Sequence, residues 1–280
     1  MRIRDYSLPS GWYPRDTDEV SGFLSDFTSR GAARAAIAPH AGWYYSGRTA
    51  ASAVSALEPQ AKGLEPDAQT IAVLGGHLPA GSPPLFAPED AFRTPFGSMP
   101  ADGEIRSRLF KELDGEEDRY RDNTVEVLLP MVHFFFPKAK LLWLRLPAEI
   151  ASFEAGKAIA EAAKKLNRKI NILASTDLTH YGRNYGFSPR GAGEAALKWV
   201  KEVNDPEFLN AVQSGDAART LSCAERGQSS CSPGAVLGAM GFAEAKGLGR
   251  AKLLEYATSA DVQGGIPDSF VGYAAMAFGA

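Results

Sequence analysis

Apolar positions along this chain follow two alternating rhythms. Short hydrophobic runs that stop at glycine, proline or a charge read as buried strands over 35–38, 70–74, 141–146 and 169–174. Between them, apolar residues recur at three- and four-residue intervals. Val20, Phe23, Leu24 and Phe27 share one face of a helix over 19–27. The same spacing predicts helices over 49–57, 105–113, 150–166, 192–203, 206–214 and 233–246, the last with Ser232 as N-cap and Pro233 at its first position. A very apolar run over 125–136 reads as a helix interrupted at Pro130. The glycine- and proline-rich stretch 75–100 reads as one long connection of the kind that covers a site. Two β-prone runs, 252–258 and 270–278, close the chain as an antiparallel pair. This order of strands and helices predicts an α/β fold: one domain over 1–280, with a central mixed, mostly parallel sheet flanked by helices on both faces.

Composition narrows the picture only a little. The 280 residues are 45% hydrophobic and 22% charged, with a formal net charge of −3. That balance gives no electrostatic case for nucleic acid or a membrane surface. The start, Met1-Arg2-Ile3-Arg4-Asp5-Tyr6, lacks the apolar core of a signal peptide, and no run approaches the length of a membrane span. Two cysteines, Cys223 and Cys231, are weak grounds for a secreted disulfide protein, so a cytoplasmic location is expected.

The chemistry concentrates in the histidines. Of the four, His40, His77 and His180 each stand where an apolar strand gives way to a loop, the place where α/β proteins hold ligands. Three imidazoles brought to one sheet edge point to a metal site. His40 lies in Pro39-His40-Ala41-Gly42-Trp43-Tyr44-Tyr45-Ser46-Gly47, whose three aromatics are expected to wall a substrate pocket. Asp177 and His180, three residues apart in Ser175-Thr176-Asp177-Leu178-Thr179-His180, would share a face if the segment were a helical turn. Asp177 would then orient an imidazole or move a proton, or merely cap a short helix. Cys231 precedes the helix at 233, and a helix N-terminus favours the thiolate that binds metals. Cys223 reads as a small buried hydrophobe. His133, inside the apolar run 125–136, reads as a core histidine and is left out of the site.

These segments resemble the Memo family, whose bacterial members are called AmmeMemoRadiSam system protein B. The resemblance spans nearly the whole chain. It rests on Gly11-Trp12-Tyr13-Pro14, the His40 loop, Val125-Glu126-Val127 with Leu129-Pro130, the run from Ser175 to Gly182, the run from Tyr256 to Val262, and Val271-Gly272-Tyr273-Ala274-Ala275. It implies a fold like that of the class III extradiol, LigB-type non-haem iron dioxygenases. It also implies a pocket of three histidines and a cysteine, which falls on His40, His77, His180 and Cys231 with Asp177 beside them. Two departures stand out. Leu74-Gly75-Gly76-His77 has one histidine where many relatives have Leu-Gly-Pro-Ser-His-His, and Asp122-Asn123 replaces a Glu-His pair.

Three functions follow as expectations. The first is a metal-dependent, dioxygenase-like oxidoreductase, with His40, His77, His180 and Cys231 as ligands, His180 and Asp177 handling protons, and Trp43, Tyr44 and Tyr45 flanking the substrate. Its expected cofactor is Fe(II), with copper or zinc as the alternatives a thiolate favours. The second is hydrolysis by a Cys231–His180–Asp177 arrangement. The third is a non-catalytic scaffold that binds a peptide or small molecule in the same pocket. Expected partners are a small-molecule or peptide substrate and, by the resemblance, radical-SAM and AMMECR1-type proteins.

Overall fold

The computed structural model describes residues 1–27, 31–58 and 69–279. Among these, nine strands form one mixed sheet. Its centre is four parallel strands in the order Ala35–Ala38, Lys169–Ser175, Gln69–Leu78 and Lys140–Pro147. Antiparallel neighbours finish both sides. Ser269–Phe278 pairs with Ala35–Ala38 and carries Lys252–Thr258 and His180–Gly182, while Leu85–Phe86 pairs with Lys140–Pro147 and carries Glu116–Glu117. The chain is thus a single α/β unit with a mixed sheet and helices on both faces.

The period-two alternation of the strands sorts their side chains into two apolar layers. Ala72 and Leu74 face one layer, built with Ala151–Lys165, Asp205–Ser214, Ala217–Gly227 and Pro233–Lys246. Ile71 and Val73 face the other, built with Thr17–Leu24, Trp43–Ser55 and Leu129–Phe135. Because both faces are covered, the central strands are mostly apolar and lack the alternation of a half-exposed sheet, with Thr70, Arg145 and Asn171 as buried polar exceptions. No helix among the described residues is long and apolar enough to cross a membrane.

Several elements depart from the sequence-based expectation. The stretch 75–100 is no single loop. It extends the Gln69–Leu78 strand and then folds back through Leu85–Phe86, Ala91–Thr94 and Gly97–Pro100. The last two form a hairpin that joins Ile3–Arg4 in a separate three-stranded sheet. Strands of two to four residues are too short to show a period. The run 125–136 is two helices, Asn123–Glu126 and Leu129–Phe135, with Pro130 in the first turn of the second, where its missing N–H costs nothing. A helix over Ala217–Gly227 was not foreseen in the sequence. The helix expected from 49 begins at Trp43, so Trp43, Tyr44 and Tyr45 form its first turn and are not part of a loop. Residues 176–179 form no helical turn; they run irregularly into His180–Gly182.

Candidate metal centre

Three parallel strands deliver the site. Pro39 ends the first, having no N–H to continue a ladder, and His40 follows at once. His77 lies near the end of the Gln69–Leu78 strand in a left-handed conformation (φ 57°), and Asp177 stands just beyond Ser175. Cys231 arrives from the opposite direction, ahead of the helix Pro233–Lys246. Ser232 occupies the N-cap as expected, but its side chain makes no capping bond there. Gly76 permits this convergence, because a Cβ there would stand 2.3 Å from the Ser232 side chain. Only glycine lets the His77 strand and the Cys231 segment approach so closely.

His40, His77 and Cys231 meet, with one ligand atom from each lying within 4.8 Å of the others. Cys231 Sγ is 3.2 Å from His40 Nε2, and the two imidazole rings stand edge to face with centroids 5.0 Å apart. Each of the three side chains is held from behind. His40 Nδ1 lies 2.8 Å from the Ser175 hydroxyl, and the His40 backbone N–H donates to Asp177 Oδ1 at 2.7 Å. His77 Nδ1 donates to Asp122 Oδ2 at 3.0 Å, which leaves Nε2 for the centre. Asp177 N donates to the Cys231 sulfur at 3.3 Å, and Cys231 N donates to Asp177 O at 3.2 Å.

Asp122 is itself fixed by a buried cation. Arg145 Nη2 lies 3.2 Å from Asp122 Oδ2, Arg145 Nη1 lies 3.3 Å from Asp118 Oδ1, and Arg145 Nε donates to the carbonyl of Gly76 at 2.9 Å. One guanidinium thereby grips both the carboxylate that orients His77 and the peptide just before it. Buried charges paired in this manner hold geometry more surely than they add stability.

Electrostatics follow from this crowding. Burial alone would raise the Cys231 thiol, but His40 and His77 overcome it and hold the thiol well below its usual range. Burial would likewise lower His77, yet its bonds to Asp122 and Cys231 raise it to about 10. Burial opposes ionisation of Asp122 too, and the His77 bond with the Arg145 charge outweighs it, keeping the carboxyl well below the carboxylate range. Burial dominates at Asp177 and raises its carboxyl, against the lowering pull of His40 and His180. A bound cation would take the place of imidazole protons in balancing the thiolate.

His180 does not join the three. Its Nδ1 donates to the carbonyl of Leu178 at 3.1 Å, its ring stands against Tyr185, and its Nε2 is 4.0 Å from Asp177 Oδ2. The same carboxylate oxygen is 3.9 Å from His40 Nε2, so Asp177 stands between the two imidazoles. The imidazole in contact with Cys231 is that of His40, at 3.2 Å, where the arrangement expected for a hydrolase named His180.

The aromatics divide as well. A cavity of about 520 Å³ opens on the centre and is lined by His40, His77, Asp177, His180, Trp12 and Tyr45 among others. Trp43 and Tyr44 border instead a neighbouring groove of about 730 Å³. Trp43 is buried and donates its indole N–H to Val127 O at 2.9 Å; helical geometry turns it into the core. Tyr44 is 69% exposed. Of the three expected substrate-binding aromatics, only Tyr45 reaches the His40 cavity, where its hydroxyl accepts from Gln263 at 3.1 Å. His133 is buried with its Nδ1 against the Thr94 hydroxyl and lines neither cavity, and neither cysteine is in a disulfide.

Sequence reasoning gave no role to Arg145 or Trp12 and marked Asp122 only as part of a departure from a Glu-His pair. Asp122 had a visible signal, since it replaces the acid of a Glu-His pair, whereas Arg145 was hidden inside a strand. Trp12 comes from the N-terminal segment. That segment is clasped by the buried Glu126 carboxylate, which accepts from Ser7, Leu8 N and the Tyr13 hydroxyl.

A sequence profile for Memo-like proteins matches residues 4–277. A MEMO1 family protein of Thermococcus kodakarensis is 30% identical over 99% of this chain and 99% of its own length. A MEMO1 family protein of Pyrococcus horikoshii is 30% identical over 98% of this chain and 99% of its own. The chain belongs to the Memo family. An uncharacterized protein from Escherichia coli K12 aligns over 87% of this chain and 98% of that one with TM-score 0.46 and 13% identity, too distant to bear on the assignment.

Proposed function

We propose that this protein is a metal-dependent, dioxygenase-like oxidoreductase in which His40, His77 and Cys231 hold one Fe(II) ion. The observation that carries the reading is the meeting of two imidazole nitrogens and a sulfur within 4.8 Å, each backed by a fixed partner. Ligands on one ion at bond lengths of about 2.0–2.3 Å fall at such separations. The donor set suits iron, zinc or copper and is too soft for magnesium or calcium. Bound there, the ion would supply Lewis-acid and one-electron chemistry at the floor of the cavity.

The remaining residues serve the substrate. Asn123, Asn184, Ser259 and Gln263 give the cavity a hydrogen-bonding wall, which fits a small polar organic molecule. Asn123 is held facing inward by donating to His40 O at 3.0 Å. Asp177, its carboxyl raised by burial, accepts or returns a proton at Oδ2, and His180 stands next to that oxygen at the solvent side. The ring of Tyr185 packs on His180 and limits its orientation. The Cys231–His40 contact at 3.2 Å also favours a second reading, thiolate nucleophilic catalysis, which needs no metal.

Cobalt(II) titration of metal-free protein separates the two readings. The metal reading predicts one ion per chain and a thiolate-to-cobalt charge-transfer band, which Cys231→Ser abolishes. Failure to bind cobalt, iron or zinc at any stoichiometry, with rapid alkylation of Cys231 unaffected by chelators, would leave the nucleophile reading in its place. A protein that binds metal but only retains small molecules unchanged would be a binding module.

A further inference from the structure

Two of the cavities that touch the centre divide its other residues between them. His40 and Asp177 line the 520 Å³ cavity, and Cys231 does not. Cys231 lines a different cavity of about 480 Å³, and His40 and Asp177 are absent from its walls. His77, His180 and Tyr185 belong to both and form the partition between them. The sulfur and the proton-handling carboxylate are therefore addressed from opposite sides of one wall.

The two cavities also differ in chemistry. Around the first stand hydrogen-bonding side chains such as Asn123, Asn184 and Gln263. The second is walled mostly by carbon, from Leu78, Pro79, Ala148, Ala224 and Pro233, with Gln228 and Ser230 as its uncharged polar side chains, Glu225 as its one carboxylate and no lysine or arginine. A charged reactant would lose hydration among those carbons; outside the shared His77 and His180 an anion meets no cationic side chain, and a cation has only Glu225, exposed at the rim. A small uncharged molecule with an apolar surface loses little.

From this division we infer that the second cavity is a separate entry for a small uncharged reactant that approaches the sulfur side of the centre, while the polar substrate enters by the first. The assignment of that molecule as a reactant rests on the metal-dependent reading. The route itself does not, so its test is made on metal-free protein.

The probe is iodoacetamide, neutral and small, with Cys231 alkylation followed by mass spectrometry; Cys223, buried in the helix Ala217–Gly227, serves as the internal reference for intact folding. Glu225 and Asn184 are both exposed, one on the rim of each cavity, so a tryptophan at either is tolerated by the fold. Glu225→Trp is expected to slow alkylation of Cys231 at least tenfold, and Ala148→Trp to do the same from the facing wall. Asn184→Trp is expected to leave the rate within twofold of the unsubstituted protein. Slowing by Asn184→Trp alone, equal slowing by all three, or no change in any would each show that the sulfur has no entry of its own and would overturn the inference. Binding of metal, measured separately on the same variants, is expected to be unchanged; its absence in the unsubstituted protein would remove the reactant assignment without touching the route.

Discussion

The two histidines that share one oxygen of the Asp177 carboxylate are built differently. His40, like His77 and Cys231 beside it, has one face committed to a fixed partner and the other aimed at a shared point. His180 leans on a backbone carbonyl and an aromatic ring, lies partly open to solvent, and has only a carboxylate 4.0 Å from its Nε2. Ligation demands atoms held within a few tenths of an ångström, while proton transfer needs only reach and a suitable partner. The buried half thus reads as a grip and the His180 half as a relay, although all three histidines occupy equivalent places in the sequence.

That contrast breaks most visibly at Cys231. Cys231→Ala removes the anionic ligand, and metal affinity is expected to fall by about a thousandfold or more, as read by competition against a chromophoric chelator. His40→Ala should lose most of the metal too.

A second test concerns the loop that carries His180. Asp205, fully buried, accepts from Thr179 N at 3.2 Å, from the Thr179 hydroxyl and from the Tyr256 hydroxyl at 2.8 Å. Burial outweighs those bonds and pushes its carboxyl from 3.8 up to about 6. A raised acid stabilises the fold when protonated, so its contribution is present below about pH 4 and is lost as pH climbs through about 6. A shift of about two units corresponds to about 3 kcal/mol. The stability of Asp205→Asn relative to the unsubstituted protein should therefore rise by an amount of that order between pH 4 and pH 7 in denaturant titrations. A pH-independent difference would mean that Asp205 ionises normally.

Asp122→Asn tests how the grip is held. The amide can still meet His77 but loses the charge shared with Arg145, and metal affinity should weaken by about 10- to 100-fold with the fold intact. The smallest change belongs to His180→Ala. Metal affinity should stay within about threefold if His180 is a relay, since a relay contributes no bond to the ion. A loss comparable to that of His40→Ala would erase the distinction between the halves and restore a third imidazole ligand.

Much of this architecture could be read from the residues. The central strands announced themselves because burial on both faces makes them mostly apolar, and the histidines stood out because each interrupts such a run at its carboxyl end. The two-residue strands Ile3–Arg4 and Leu85–Phe86 offered no period to detect. Trp43 misled because an aromatic in a glycine-flanked motif looks like a pocket wall, whereas the helix starting there turns it inward to Val127. Arg145 was invisible for a different reason. Its partners Asp118 and Asp122 lie 27 and 23 residues before it, and only the fold brings those charges beneath His77. The separation of Asp177 from His180 was expected to follow from a helical turn; the irregular segment achieves the proximity without one.

Anomalous X-ray scattering at the iron edge, from crystals grown with Fe(II) in the absence of air, would test the account most directly. It should show a single strong peak at bonding distance from His40 Nε2, His77 Nε2 and Cys231 Sγ, with His180 outside that distance. A peak anywhere else, or ordered protein with iron in excess and no peak at these three atoms, would contradict it.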